Sequence, residues 1–260
     1  MNPIVLAPTT LMRTPPLEYI ETAARAGYDG IGLRLYPSPG MTFFPVVGDA
    51  DLMAKVKSAI MDAQLKVYDI LTCYVEPDMD LEAMKRAHEF GAEIGADYGL
   101  VIGDDPEWDR MVQNFGKLCE NAAQFGIVCA LEAPVNRPAL TTLDLNLKLI
   151  SDSGANAVIS IDPVQFFRSG GQVEDLKAVD PKLMPYTQIC DGTDLTPMHP
   201  YCMPGEGVFP LNEMLDVMPT GLPLSLEYHH RDDRYTTLAW AVHVLDGTRR
   251  FLRHHYEDKN

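Results

Sequence analysis

The stretch Met111–Glu132, MVQNFGKLCENAAQFGIVCALE, contains one complete unit of the fold. Met111, Phe115, Leu118, Ala122 and Phe125 advance by four, three, four and three residues, which lays one apolar stripe along a helix. Gly126 follows, and glycine tolerates the left-handed conformation in which helices end. The run Ile127–Glu132 then lacks the polar alternation of a half-exposed strand and suits a parallel strand covered on both faces.

The same rhythm extends in both directions. Further strand candidates are Ile4–Ala7, Gly30–Leu35, Lys66–Thr72, Tyr98–Ile102, Ala157–Ile161, Met184–Ile189 and Leu222–Glu227, which makes eight in all. Helical stripes recur at Leu17, Ile20 and Ala24, at Leu143, Leu147 and Ile150, and at Leu238, Ala241, Val242 and Leu245. Pro15-Pro16 opens the first helix. Gly27 and Gly91 are read as helix stops like Gly126, and Asp80 and Thr142 as helix caps. Eight strand–helix units in 260 residues match a closed (β/α)₈ TIM barrel, expected as a single domain over residues 1–260. The rival, an open doubly wound sheet, is disfavoured because Ala7-Pro8-Thr9-Thr10 after the first strand carries no glycine-rich phosphate loop.

Lys and Arg number 21 against 37 Asp and Glu, a net charge of −16 with histidines neutral. Such a surface repels phosphate backbones, so nucleic acid is not an expected partner. No apolar run approaches the ~20 residues of a membrane span, and no export signal opens the chain. A cytoplasmic protein without a membrane partner is expected. The five cysteines form no Cys-x-x-Cys pair, which argues against structural zinc.

In a barrel the C-terminal strand ends share one mouth, and here they carry acids. Strand five ends Leu131-Glu132, strand six Ile161-Asp162, strand seven Gln188-Ile189-Cys190-Asp191, and strand eight Leu226-Glu227. Crowded, desolvated carboxylates either raise their pKa values or recruit a cation. Glu132, Asp162 and Glu227, with the amide oxygen of Gln188, make a candidate hard site for Mg²⁺ or Mn²⁺. Asp191 reads equally well as a turn former before Gly192. Arg34, ending strand two, is a candidate for a substrate carboxylate or phosphate. Tyr68 and Trp108 are candidates for an apolar wall over a small-molecule substrate.

In order and spacing the second half of the chain resembles the xylose isomerase-like TIM barrels. Leu131-Glu132 matches their first metal-binding glutamate, and Asp162 the aspartate of an Asp-x-x-His pattern whose fourth position here is Gln165. Gln188-Ile189-Cys190-Asp191 matches a His-x-x-Asp pattern with glutamine in place of histidine. Pro204-Gly205-Glu206-Gly207 reproduces a loop of the family, and Leu226-Glu227 its last metal-binding glutamate. The resemblance implies a metal-dependent isomerase or epimerase of a small sugar, polyol or keto-acid, in carbohydrate metabolism. Glu132 and Glu227 would then move the proton of an enediolate, with Gln165, His199, His229 and Arg231 contacting substrate. A dehydratase of an inosose-like or dehydroshikimate-like substrate is the alternative from the same apparatus. The two glutamines open a third reading, a degenerate barrel that binds ligands without catalysis, its metal site weakened or lost. Barrels of this kind pair, so a homodimer is expected.

Overall fold

The protein is described by a computed structural model covering residues 2–38, 40–196, 200–228 and 234–257. Its strands are β1 (Ile4–Leu6), β2 (Gly30–Arg34), β3 (Lys66–Val75), β4 (Tyr98–Gly103), β5 (Val128–Glu132), β6 (Ala157–Ile159), β7 (Thr187–Ile189) and β8 (Leu224–Leu226). They pair in parallel in the order β6-β5-β4-β3-β2-β1-β8-β7. A parallel bridge from Ile161 to Thr187 joins the two edges, with Gln188 N donating to Ile161 O at 2.8 Å. The sheet is therefore curled on itself, as expected for a (β/α)₈ barrel. Strand β7 starts at Thr187, later than expected, because Pro185 has no N–H for a ladder.

Around the sheet lie α1 (Pro16–Ala26), α2 (Ala50–Ala63), α3 (Leu81–Glu93), α4 (Trp108–Ala123), α5 (Leu143–Ser153), α6 (Pro163–Arg168), α7 (Val173–Lys177), α8 (Leu211–Val217) and α9 (Thr237–Glu257). Of the α4 stripe, Met111, Phe115, Leu118 and Ala122 are covered, each large side chain contributing about 1.5–3 kcal/mol, while Phe125 lies past the end of the helix and is half-buried. Asp80 caps α3 by accepting from Ala83 N, and Thr142 caps α5 by accepting from Leu145 N. Gly27 has φ 89° and Gly126 φ 74°, the left-handed ends expected of them. Gly91 does not stop a helix. It lies inside α3, where Ile70 and Ile127 come within 3.0 and 3.1 Å of the position a Cβ would take. No described helix is long and apolar enough to cross a membrane.

The lumen differs from the outer core. Alternate strand positions place Asp69, Ser160, Tyr186 and Gln188 in it, all buried. Tyr186 senses Asp69, Ser160 and Glu132 together, which locates these groups around one another. Gly32 makes room for Asp69: a Cβ there would meet Asp69 Oδ1 at 2.2 Å.

Candidate binding site at the barrel mouth

Glu132 ends β5, Gln188 lies in β7, Glu227 follows β8 and Asp162 precedes α6; all four are buried. The order of strands brings them to one mouth, as their spacing in the chain implied. What they do there departs from expectation.

Asp162 is a helix cap. Its Oδ1 accepts from Val164 N at 2.7 Å, from Gln165 N at 3.3 Å and from the Cys190 thiol at 3.4 Å. Its Oδ2 accepts from the Tyr201 hydroxyl at 3.1 Å. Tyr201 in turn accepts from Gln165 Nε2 at 2.6 Å, and Gln165 Oε1 accepts from Val135 N at 2.9 Å. Position 165 thus bridges the loop after β5 to the short antiparallel pair Asp191–Gly192 and Tyr201–Cys202. Gln188 donates through Nε2 to Glu132 Oε2 at 3.4 Å, while its buried Oε1 has no hydrogen-bond partner among the described residues.

These commitments overturn the expected metal centre. Among the described residues, no group of three or more His, Cys, Asp or Glu is placed to hold a metal ion. Asp162 spends both oxygens on protein donors, and Gln188 supplies an amide where the family pattern has imidazole. The donor set does not fit Mg²⁺ or Mn²⁺. The metal-dependent isomerase or epimerase reading is corrected accordingly, as are the enzyme class and metal cofactor drawn from it. The metal-dependent dehydratase falls with them. A Mn²⁺ titration followed by electron paramagnetic resonance is expected to show no saturable site. One bound equivalent, lost in Glu132→Gln, would reverse this correction.

Crowding and burial of the carboxyl cluster favour its protonated forms. Burial, and then the facing Glu227 and Asp162, push the Glu132 carboxyl well above the usual range, against the Gln188 hydrogen bond that lowers it. Glu132 therefore holds a proton more tightly than an ordinary carboxyl does. Deeper in the lumen, burial and Glu227 raise Asp69 to about 7, opposed by Tyr186 and Arg34.

Arg34 ends β2 half-buried, its Nη1 donating to the Ser38 hydroxyl at 2.5 Å. Burial lowers its pKa and Glu227 pulls it back up. It makes no ion pair among the described residues. On the same side, Arg137 pairs with Asp104 at 2.5 Å and lies over the Tyr74 ring, 5.3 Å from its centroid.

The other candidates are dispersed. Tyr68 lies over Gly30, near Asp29 and Asp97 that precede β2 and β4, which is the N-terminal end of the barrel and the wrong end for the mouth. Trp108 is engaged in the outer layer, donating to Asp152 at 2.8 Å beneath the Lys148 ammonium. His199, His229 and Arg231 lie outside the described residues. Asp191 is neither ligand nor simple turn former: it accepts from the N–H groups of Gly192, Gly205, Gly207 and Phe209. Cys190 is buried with its thiol pKa raised, which keeps it inert. Asp69, Tyr186 and Tyr201 escaped the sequence reading. The one signal for Asp69 was a carboxylate in mid-strand within an apolar run.

A family model described as xylose isomerase-like TIM barrel matches residues 20–251. Among solved structures, a xylose isomerase-like TIM barrel/4-hydroxyphenylpyruvate dioxygenase fusion protein superposes with TM-score 0.77 at 19% identity, covering 99% of this chain and 44% of that one. The chain thus spans less than half the length of that fusion protein. An IolI protein with a bound zinc atom gives TM-score 0.78 at 17% identity, covering 98% of both chains. An L-ribulose 3-epimerase gives 0.73 at 16%, covering 100% of this chain and 99% of that one. At these identities the likeness is one of fold. No curated protein matches in sequence.

Proposed function

The chain belongs to the xylose isomerase-like TIM barrel family, and we propose that within it this member is a metal-independent binding barrel for a small polyhydroxylated acid. The observation that carries the reading is how the polar groups at the mouth are spent. Asp162 is committed to backbone and Tyr201, and Glu132 to Gln188. Among the described residues, the groups left to a ligand include the Glu132 carboxyl, which holds its proton more tightly than usual, Gln188 Oε1 and the Arg34 guanidinium. A carboxyl and an amide oxygen suit hydroxyl groups, and a half-buried guanidinium suits a carboxylate or phosphate. The five free cysteines and the acidic surface support a reducing, cytoplasmic setting. Assembly as a homodimer is part of the same reading.

Isothermal titration in the presence of EDTA, with matched neutral polyols and hydroxy-acids, tests it. Binding is expected without added metal, tighter for the acid of each matched pair. Arg34→Met should erase that preference, a loss of about 1.5–3 kcal/mol for a charged hydrogen bond, or roughly 10- to 100-fold. Glu132→Gln should change affinity little, because the amide keeps a hydrogen-bond donor and an acceptor at that position. Binding that requires Mn²⁺, or no binding by any member of the panel, would overturn the reading.

A further inference from the structure

Tyr74, near the end of β3, links Arg34 to a second arginine at the mouth. Tyr74 pairs with Ile102 in β4, and Ile102 with Glu132 in β5, so the three form one row across the sheet. Residues level with one another in a sheet face the same way, which turns Tyr74 toward the mouth with Glu132. Burial raises the Tyr74 phenol; Ser38, Arg137 and Arg34 pull it down, and Glu132 pushes it up, which sets it among all four.

Arg137 reaches that ring from the loop after β5, across β4. Its N donates to Pro134 O at 3.0 Å, and its O accepts from Leu140 N at 3.2 Å, which fixes the backbone. The guanidinium carbon lies 5.3 Å from the Tyr74 ring centroid, and Nη1 donates to Asp104 Oδ2 at 2.5 Å. Asp104 is held in turn, its N donating to Val75 O at 3.0 Å. Ring and carboxylate together set the direction of the Arg137 side chain, which stays 26% exposed. The fork is not used up. A guanidinium carries five N–H donors, and among the described residues each arginine spends one nitrogen, Arg137 on Asp104 and Arg34 on Ser38.

We infer that Arg137 is a second anion anchor and that the ligand of the mouth carries two anionic groups, carboxylate or phosphate, one against each arginine. A single carboxylate is served by Arg34 alone. A second guanidinium, fixed in place with N–H groups to spare at the same mouth, matches a second anion. The hydroxyl-bearing carbons then run between the two anchors, over Tyr74 and beside Glu132. The inference rests on reading the mouth as a site for a polyhydroxylated acid, and adds the charge at the ligand's other end.

Isothermal titration at neutral pH in EDTA, with gluconate, glucarate and 6-phosphogluconate, tests it. At least one of the two dianions is expected to bind roughly 10- to 100-fold more tightly than gluconate. Which of them does so tells a second carboxylate from a phosphate. Arg137→Gln should abolish that preference and leave gluconate binding within about 2-fold of wild type, whereas Arg34→Met should weaken all three. Arg137→Lys, which keeps the charge, should retain part of the preference, and circular dichroism checks that each variant folds. Gluconate bound as tightly as both dianions, or a preference that survives Arg137→Gln, overturns this inference and leaves the binding barrel standing. No binding by any of the three overturns both.

Discussion

Asp191→Ala is expected to destabilise the protein by about 3–5 kcal/mol, the largest effect of any single substitution at the strand ends. One carboxylate there, 1% exposed, accepts from Gly192 N at 2.8 Å, Gly205 N and Gly207 N at 3.1 Å and Phe209 N at 3.2 Å. Truncation leaves those four N–H donors in or near the interior without an acceptor, and each such group costs about 1–3 kcal/mol where water cannot reach it. Asp191→Asn should be nearly as damaging, because its NH₂ points a donor at donors. Gly207→Ala should act on the same contact, since a Cβ at 207 would sit 2.2 Å from Asp191 Oδ1. Urea unfolding measures all three. A loss below about 1 kcal/mol in Asp191→Ala would show that the loop 203–209 is held by something else.

The second large effect is a gain. Asp69 has its carboxyl raised from an ordinary 3.8 to about 7, by burial first and by Glu227 second. The folded chain therefore holds this proton more tightly than the unfolded chain does. That stabilisation is complete below about pH 4 and is lost as pH rises through 7. The difference between 3.8 and about 7 corresponds to roughly 4 kcal/mol, accumulating at about 1.4 kcal/mol per pH unit across that window. Asp69→Asn keeps the shape and removes the ionisation. Its stability should exceed that of the wild type by about 2–4 kcal/mol at pH 8, with the two curves converging toward pH 4. Chemical denaturation at several pH values gives both curves. Parallel curves would show that Asp69 does not titrate between the two states in this window.

How far the site was legible follows from the range of the interactions that make it. Glu132, Asp162, Gln188 and Glu227 could be placed at one mouth because strand ends are local features: an apolar run stops, a polar residue follows or ends it, and parallel topology takes each to the same end of the barrel. Tyr68 was misplaced for a related reason. A residue early in β3 and one late in it look alike in sequence, yet they stand at opposite ends of the barrel. Asp191 could be seen but not weighed, since its partners at 205, 207 and 209 meet it only once the loop has turned back.

The chain by itself determined the barrel. Period-3.6 stripes, unbroken apolar strands and caps such as Asp80 and Thr142 are read over a few residues, and eight such units have few ways to bury their faces. It also carried the family pattern and its two glutamines. Only the tertiary structure decided what those glutamines mean. A metal site depends on which oxygens remain uncommitted after folding, and that turns on contacts dozens of residues apart: Tyr201 on Asp162, Gln188 on Glu132, Gln165 on Val135. Hydrogen-bond geometry at this range has no period in sequence. The same holds for the proton on Asp69, which depends on burial in a lumen that exists only when the sheet closes.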